Sequence, residues 1–277
     1  MAYTTVDDPG LFFNTVTWTG NDNESRDIDG VGFQPDWVWG KRRDDAAGHN
    51  LLDAVRGAGE NSELQSNSSG AEGGGAQDRF GYLSAFLSDG FRVEDGTEGS
   101  GDKAYWNQNN ATYVAWCWKA NGSGSSNTDG DQTTTVSAET TAGFSICAGS
   151  PSGKLLQLDN TNNVNTASTW WGTINSSIVT INAGLITPNT TAIAYCFAEK
   201  VGYSKFSTYT GNGSTDGTFV YCGFKPAFVL VKRLSGTTQG WYLWDNRRNG
   251  FNPDNFNLEA NATAVEDTGN KRIDLLS

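Results

Sequence analysis

The chain's one histidine, His49, stands four residues ahead of Asp53 in Gly48-His49-Asn50-Leu51-Leu52-Asp53, a spacing that could set an imidazole beside a carboxylate. Acyl-transfer chemistry would also need an activated nucleophile, and the sequence holds no G-x-S-x-G elbow or comparable turn. A structural histidine is the expectation. Glycoside hydrolysis needs only two carboxylates a few ångströms apart, but among 31 acidic residues sequence spacing selects no pair. The pairs Asp53-x-x-Arg56 and Asp245-x-x-Arg248 share one spacing and read as turn-fixing ion pairs. Asn67-x-Ser69-x-x-Glu72 and Asn261-x-Thr263-x-x-Glu266 have the spacing of a capping pattern for a short turn or helix. No catalytic residue is assigned.

Metal and cofactor chemistry find little support. Cys117, Cys147, Cys196 and Cys222 form no C-x-x-C pair and lie far from His49 in sequence, so a Cys/His metal site is not expected. Free thiols buried as small hydrophobes are expected instead. The oxygen-rich stretches Asp22-Asn23-Glu24 to Asp27 and Asp29, and Asp129-Gly130-Asp131, lack the twelve-residue calcium loop with its terminal Glu. Gly73-Gly74-Gly75 and Gly99-Ser100-Gly101 carry no Lys and follow no strand-to-helix plan, so neither reads as a phosphate loop. No metal and no cofactor is predicted.

The elements that would position such residues are β-strands. Thirty-four Gly, abundant Asn, Ser and Thr, and 33 aromatic residues (14 Phe, 10 Trp, 9 Tyr) describe short strands joined by tight turns. TWTGN at 17–21 recurs as TYTGN at 208–212, and GFQPDWVWGKR at 32–42 as GFKPAFVLVKR at 223–233, both displaced by 191 positions. The displacement grows to 192 at Asp53/Asp245 and to 194 at LQSNSSGAE/LEANATAVE, the drift that insertions in turns produce. A third echo, TYVAWCWK at 112–119 and TAIAYCFA at 191–198, is displaced by 79 and reads as a closing strand.

Thr-Gly-Asn predicts a hairpin turn. Proline in Gly-Phe-x-Pro starts the next strand and holds the residue before it extended. Strands 36–39 and 227–231 are apolar at consecutive positions and are expected to be central. The predicted fold is all-β: tandem β-sandwich or jelly-roll-like units joined by Gly/Ser/Asn-rich linkers. The units are 1–120, a linker at 121–135, an abbreviated middle unit at 136–200, and a third unit at 201–277. Leu275-Leu276-Ser277 matches Phe86-Leu87-Ser88, so by the plan of the first unit the third is expected to continue beyond residue 300.

A net charge of −12 with 19 Lys plus Arg argues against a nucleic-acid partner. The densest basic cluster, Lys41-Arg42-Arg43, is followed at once by Asp44 and Asp45 and reads as a solvated strand end. No apolar run reaches the ~20 residues of a membrane span, and residues 1–8 lack a secretory pattern.

MAYTTVDDPGLFF, TGN…GVGFQPDWVW, LSDGF, YVAWCWKANG, VSAETTAGFSI, YCFAEKVGYSKFSTYTGNG and GFKPAFVLVKR together resemble a repeated domain family of unknown function carried by tailed bacteriophages of marine bacteria. The resemblance spans the chain, apart from the middle unit's missing Gly-Phe-x-Pro strand. It implies a virion structural protein, assembled in the host cytoplasm and acting as a tail fibre or appendage in host attachment. Its expected partners are other virion proteins, further copies of itself, and a host-surface glycan or protein that exposed aromatics such as Trp106 could contact. The alternatives are a capsid-decorating or tail-assembly protein without receptor contact, and a polysaccharide-degrading enzyme.

Overall fold

The computed structural model describes residues 6–73, 77–129, 133–149, 171–174, 179–181, 192–249, 252–269 and 272–276. It is all-β, built of antiparallel ladders and short 3₁₀ turns.

The first unit is a two-layer sandwich. Its main sheet orders β1 (Phe13–Thr19), β8 (Thr112–Trp118), β3 (Trp37–Arg42), β4 (His49–Asp53) and β5 (Leu64–Gln65). The covering sheet orders β2 (Ser25–Asp29), β7 (Gly90–Glu94) and β6 (Tyr82–Leu87). β8 shows why the main sheet is buried on both sides. Its period-two alternation puts Tyr113, Ala115 and Cys117 into the core shared with the covering sheet, and Val114, Trp116 and Trp118 into a second core on the opposite face. The first core closes over Trp18, which lies 5.3 Å from Tyr113, 5.9 Å from Phe91 and 6.4 Å from Trp106 between ring centroids, and donates its Nε1–H to the Trp106 carbonyl at 2.8 Å.

Gly40 in β3 is the thin point of this core, because any Cβ there would run into the Trp106 ring. Gly40→Val is therefore expected to overpack the site and cost about 1–3 kcal/mol or more. Urea denaturation measures it, and an unchanged midpoint would contradict the contact.

The remaining strands form three further sheets among the described residues. β9 (Ser125–Asn127), β10 (Thr134–Glu139), β11 (Phe144–Gly149) and β14 (Ala192–Phe197) form a sheet ordered β14-β11-β10-β9. β12 (Trp171–Ile174) and β13 (Val179–Ile181) pair by themselves, and β15 (Phe228–Lys232), β16 (Trp241–Asp245) and β17 (Leu258–Glu259) form a meander. Phe144 and Ile146 of β11, and Leu243, Leu258 and Ala260 of the meander region, share one buried cluster with Trp37, Trp39 and Trp116 of the first unit. The units therefore lean on a common core.

Three expectations are corrected. The 121–135 connector carries β9, whose polar residues pair through backbone groups with β10 from Asn127↔Thr134 to Ser125↔Val136. Thr19-Gly20-Asn21 makes no hairpin, since it carries the chain from the main sheet to the covering sheet, and Gly20 is held by backbone bonds with Ala111 and Asn110. The third correction concerns β15. Its first-unit counterpart β3 is central, as its apolar run implied, but β15 is an edge strand because no strand of the β8 type pairs with it among the described residues.

Candidate interaction surfaces

The repeated Asp/Arg pairs prove to be the anchors between units. Asp245 Oδ2 accepts from Arg248 Nε at 2.6 Å and from Trp116 Nε1 of the first unit at 2.9 Å, while Oδ1 accepts the backbone N–H groups of Arg247 and Arg248. Asp53 Oδ2 accepts from Arg56 Nε at 2.6 Å and from the Tyr195 hydroxyl of β14 at 2.8 Å. Trp116 and Tyr195 occupy equivalent positions of the two closing strands, so the contacts are reciprocal. Stacking follows the same rule: Trp37 lies on Tyr195 at 4.1 Å, and its counterpart Phe228 meets Trp116 edge-on at 5.8 Å. The arrangement has the logic of a two-fold interface within one chain. Burial alone would raise the Asp245 carboxyl, but the Arg248 guanidinium beside it and the converging N–H and indole donors hold it below the usual carboxylate range.

The capping expectation is also corrected. Asn67 Oδ1 accepts the backbone N–H of His49 at 2.7 Å, and Asn261 Oδ1 accepts that of Trp241 at 2.6 Å, so each pins the first residue of the middle strand of its own meander. Glu72 and Glu266 complete the clusters by accepting from Arg56 at 3.0 Å and Arg248 at 2.8 Å.

His49 is fully buried, and its Nδ1 accepts from Trp39 Nε1 at 2.9 Å. Burial first, then the charge of Lys41, push its pKa well below the ordinary value, so the ring is neutral. Its equivalent in the third unit is Trp241. Trp106 is core, at 2% exposure. All four cysteines are free; Cys117 is buried, whereas Cys147, Cys196 and Cys222 are only half-buried, short of the full burial expected. Of the oxygen-rich loops, Asp27 is paired with Arg92 at 2.6 Å, and residues 130 and 131 lie outside the described residues, as do Gly74 and Gly75. Among the described residues no group of three or more His, Cys, Asp or Glu converges, and no helix is long and apolar enough to cross a membrane.

The basic cluster is not a solvated strand end. Lys41 is fully buried and donates to the carbonyls of Arg42 and Asp45, Arg42 is paired with Asp44, and Arg43 reaches Glu266 of the third unit at 2.8 Å. Burial, then the Arg42 charge, push the Lys41 ammonium down to about 8. Between that value and the ~10.4 of an unfolded lysine, the unfolded chain holds a proton that the folded chain has released, so this lysine makes stability rise with pH. Below about pH 8 both forms are charged and the burial penalty is complete. The rise is on the order of 3 kcal/mol. Subtracting the pH profile of Lys41→Met from that of the unsubstituted protein in denaturant titrations isolates it, and parallel profiles would contradict it.

One surface is open. Tyr209 and Phe219 stand at the third-unit positions equivalent to Trp18 and Ile28, yet they are 54% and 70% exposed where their counterparts are 9% and 4%. Tyr221, two residues after Phe219, is exposed as well. Tyr209 also lines, with Gln239, Tyr242, Trp244, Arg272 and Ile273, a cleft of about 480 Å³. The alternation of strands hinted at the buried core, but the open face could be recognised only by comparing equivalent positions.

Fold and contacts define a repeated, all-β module whose copies lock face to face. The chain belongs to the family described as a domain of unknown function (DUF7483), whose model matches residues 8–155 and 148–277. No curated protein and no solved structure matches it.

Proposed function

We propose that the chain is a bacteriophage virion structural protein, a fibre or appendage component that takes part in host-surface recognition. The observation that carries the structural part is the reciprocal, buried interface between units, in which Trp116 and Asp245 fix one copy against the other. A scaffold locked in this way presents its surfaces at fixed spacing, as multivalent attachment requires. The phage setting rests on the resemblance of the repeated motifs. Catalysis gains no support from the third-unit cleft, where the described lining residues include no carboxylate and so offer no acid/base pair for glycoside hydrolysis.

Antibody labelling of virions tests the proposal directly. Labelled fibres or appendages are expected, together with slower adsorption when purified protein is added in excess. Absence of label from the particle overturns the virion role. Label confined to the capsid, with adsorption unaffected, replaces attachment by decoration. That second reading is favoured by the open face of the third unit, which suits a neighbouring protein.

A further inference from the structure

We infer that Cys147 and Cys196 form a dithiol redox site, which a small-molecule disulfide oxidises to a covalent bridge between β11 and β14. The two strands pair antiparallel, with Cys147 opposite Ala194 and Cys196 opposite Ser145. The cysteines are therefore diagonal neighbours on one face of the sheet. Phe144 and Ile146 point to the other face, into the core shared with the first unit. The Cys196 thiol is hydrogen-bonded to the Cys147 sulfur, and Ser145 Oγ lies 3.9 Å from that sulfur.

The first unit shows what this pair replaces. β1 and β8 keep the same register, Phe13↔Trp118 there and Phe144↔Phe197 here, so Cys147 stands at the position of Val16 and Cys196 at that of Cys117. Val16 and Cys117 are buried in one core, whereas Cys147 and Cys196 are both free and half-buried, within reach of a small reagent. Burial pushes the Cys117 thiol up and keeps it inert. The bond from Cys196, helped by Ser145 and opposed by burial, holds the Cys147 thiol below its usual range and raises that of Cys196. Cys147 is thus the attacking thiolate and Cys196 the resolving thiol.

The Cys147 thiolate attacks one sulfur of a reagent RSSR, forming a mixed disulfide and releasing RS⁻. Cys196 gives its proton to that RS⁻ and attacks the Cys147 sulfur, which releases the second thiolate. The protein thiols lose two electrons and two protons, and the reagent leaves as two molecules of RSH. The bridge fastens the strand whose Tyr195 hydroxyl donates to Asp53, and so secures one half of the interface between units.

The test treats the reduced full chain, at high dilution and neutral pH, with an excess of oxidised glutathione. Peptide mapping is expected to find an intramolecular bridge between residues 147 and 196, and thiol titration in denaturant to find two of the four thiols lost. Cys196→Ser is expected to stop at a glutathione adduct on Cys147, whereas Cys147→Ser should form its adduct at residue 196 at least about ten-fold more slowly. Four thiols remaining at the end of the reaction overturn the inference, as does a faster reaction at Cys117 or Cys222. A glutathione adduct that persists on Cys147 in the unsubstituted chain also overturns it, because the diagonal geometry would then keep the bridge from closing. These decisive readouts come from the unsubstituted chain and stand even where a serine variant fails to fold.

Discussion

Asp245→Ala is expected to lower the unfolding free energy by about 3–5 kcal/mol, the usual cost of removing one partner from a buried ion pair. The Arg248 side chain is fully buried, so its guanidinium would keep Glu266 and the Leu243 carbonyl but lose the carboxylate at its Nε. The Trp116 indole N–H would lose its acceptor in the same step. Asp245→Asn keeps an oxygen for Trp116 and should fall between. Because the folded carboxyl lies below the ordinary range, its contribution is present above the unfolded value of about 4 and is lost as pH falls through the lowered folded value. Urea titrations of the three proteins at neutral pH decide the matter. A shift under 1 kcal/mol for the alanine variant would mean that water replaces the carboxylate and that the anchor is not sealed.

Trp37 is expected to separate size from polarity. Its ring stacks on Tyr195 at 4.1 Å, Trp118 at 4.4 Å and Phe144 at 5.7 Å, so truncation to alanine removes an aromatic shared by two units and should cost about 3–5 kcal/mol. Its Nε1–H is buried with no hydrogen-bond partner among the described residues. Trp37→Phe gives up part of the packing but also removes an unsatisfied donor, and the two effects oppose each other. The third unit already carries Phe228 at the equivalent position. Phenylalanine is therefore expected to cost less than half of what alanine costs in the same denaturation assay. Equal losses would show that the indole is held by a contact of its own.

The meanders were legible because burial on both faces writes a continuous apolar run, and because β3-β4-β5 and β15-β16-β17 repeat it at a nearly constant displacement. The closing strands were legible from the displacement of 79. Their reciprocity was not, although the signal was available: two displacements, one linking Trp116 to Tyr195 and one linking Asp53 to Asp245, already described two equivalent half-interfaces. Lys41 was misread because charge in a sequence implies solvent, whereas its ammonium is satisfied by carbonyls of the turn after its own strand. β15 was misplaced for a different reason. Apolar content reports what a strand is built to touch, and a strand can be built for a neighbour that its own described sheet does not contain. The Ser/Asn-rich start of the 121–135 segment looked like a connector because backbone pairing asks nothing of side chains, and β9 is held in that way.

The contacts around Trp116 and Asp245 have the form of an encounter between two identical molecules, yet both partners sit on one chain. Tethering turns that encounter into an intramolecular event at an effective concentration in the millimolar range, so it does not loosen on dilution. A homodimer must fit one sequence to both sides of its axis, whereas a tethered pair can let each side change alone. Where one copy has Trp37 and His49, the other has Phe228 and Trp241. Divergence of this kind keeps the reciprocal plan while giving each half of the interface its own side chains.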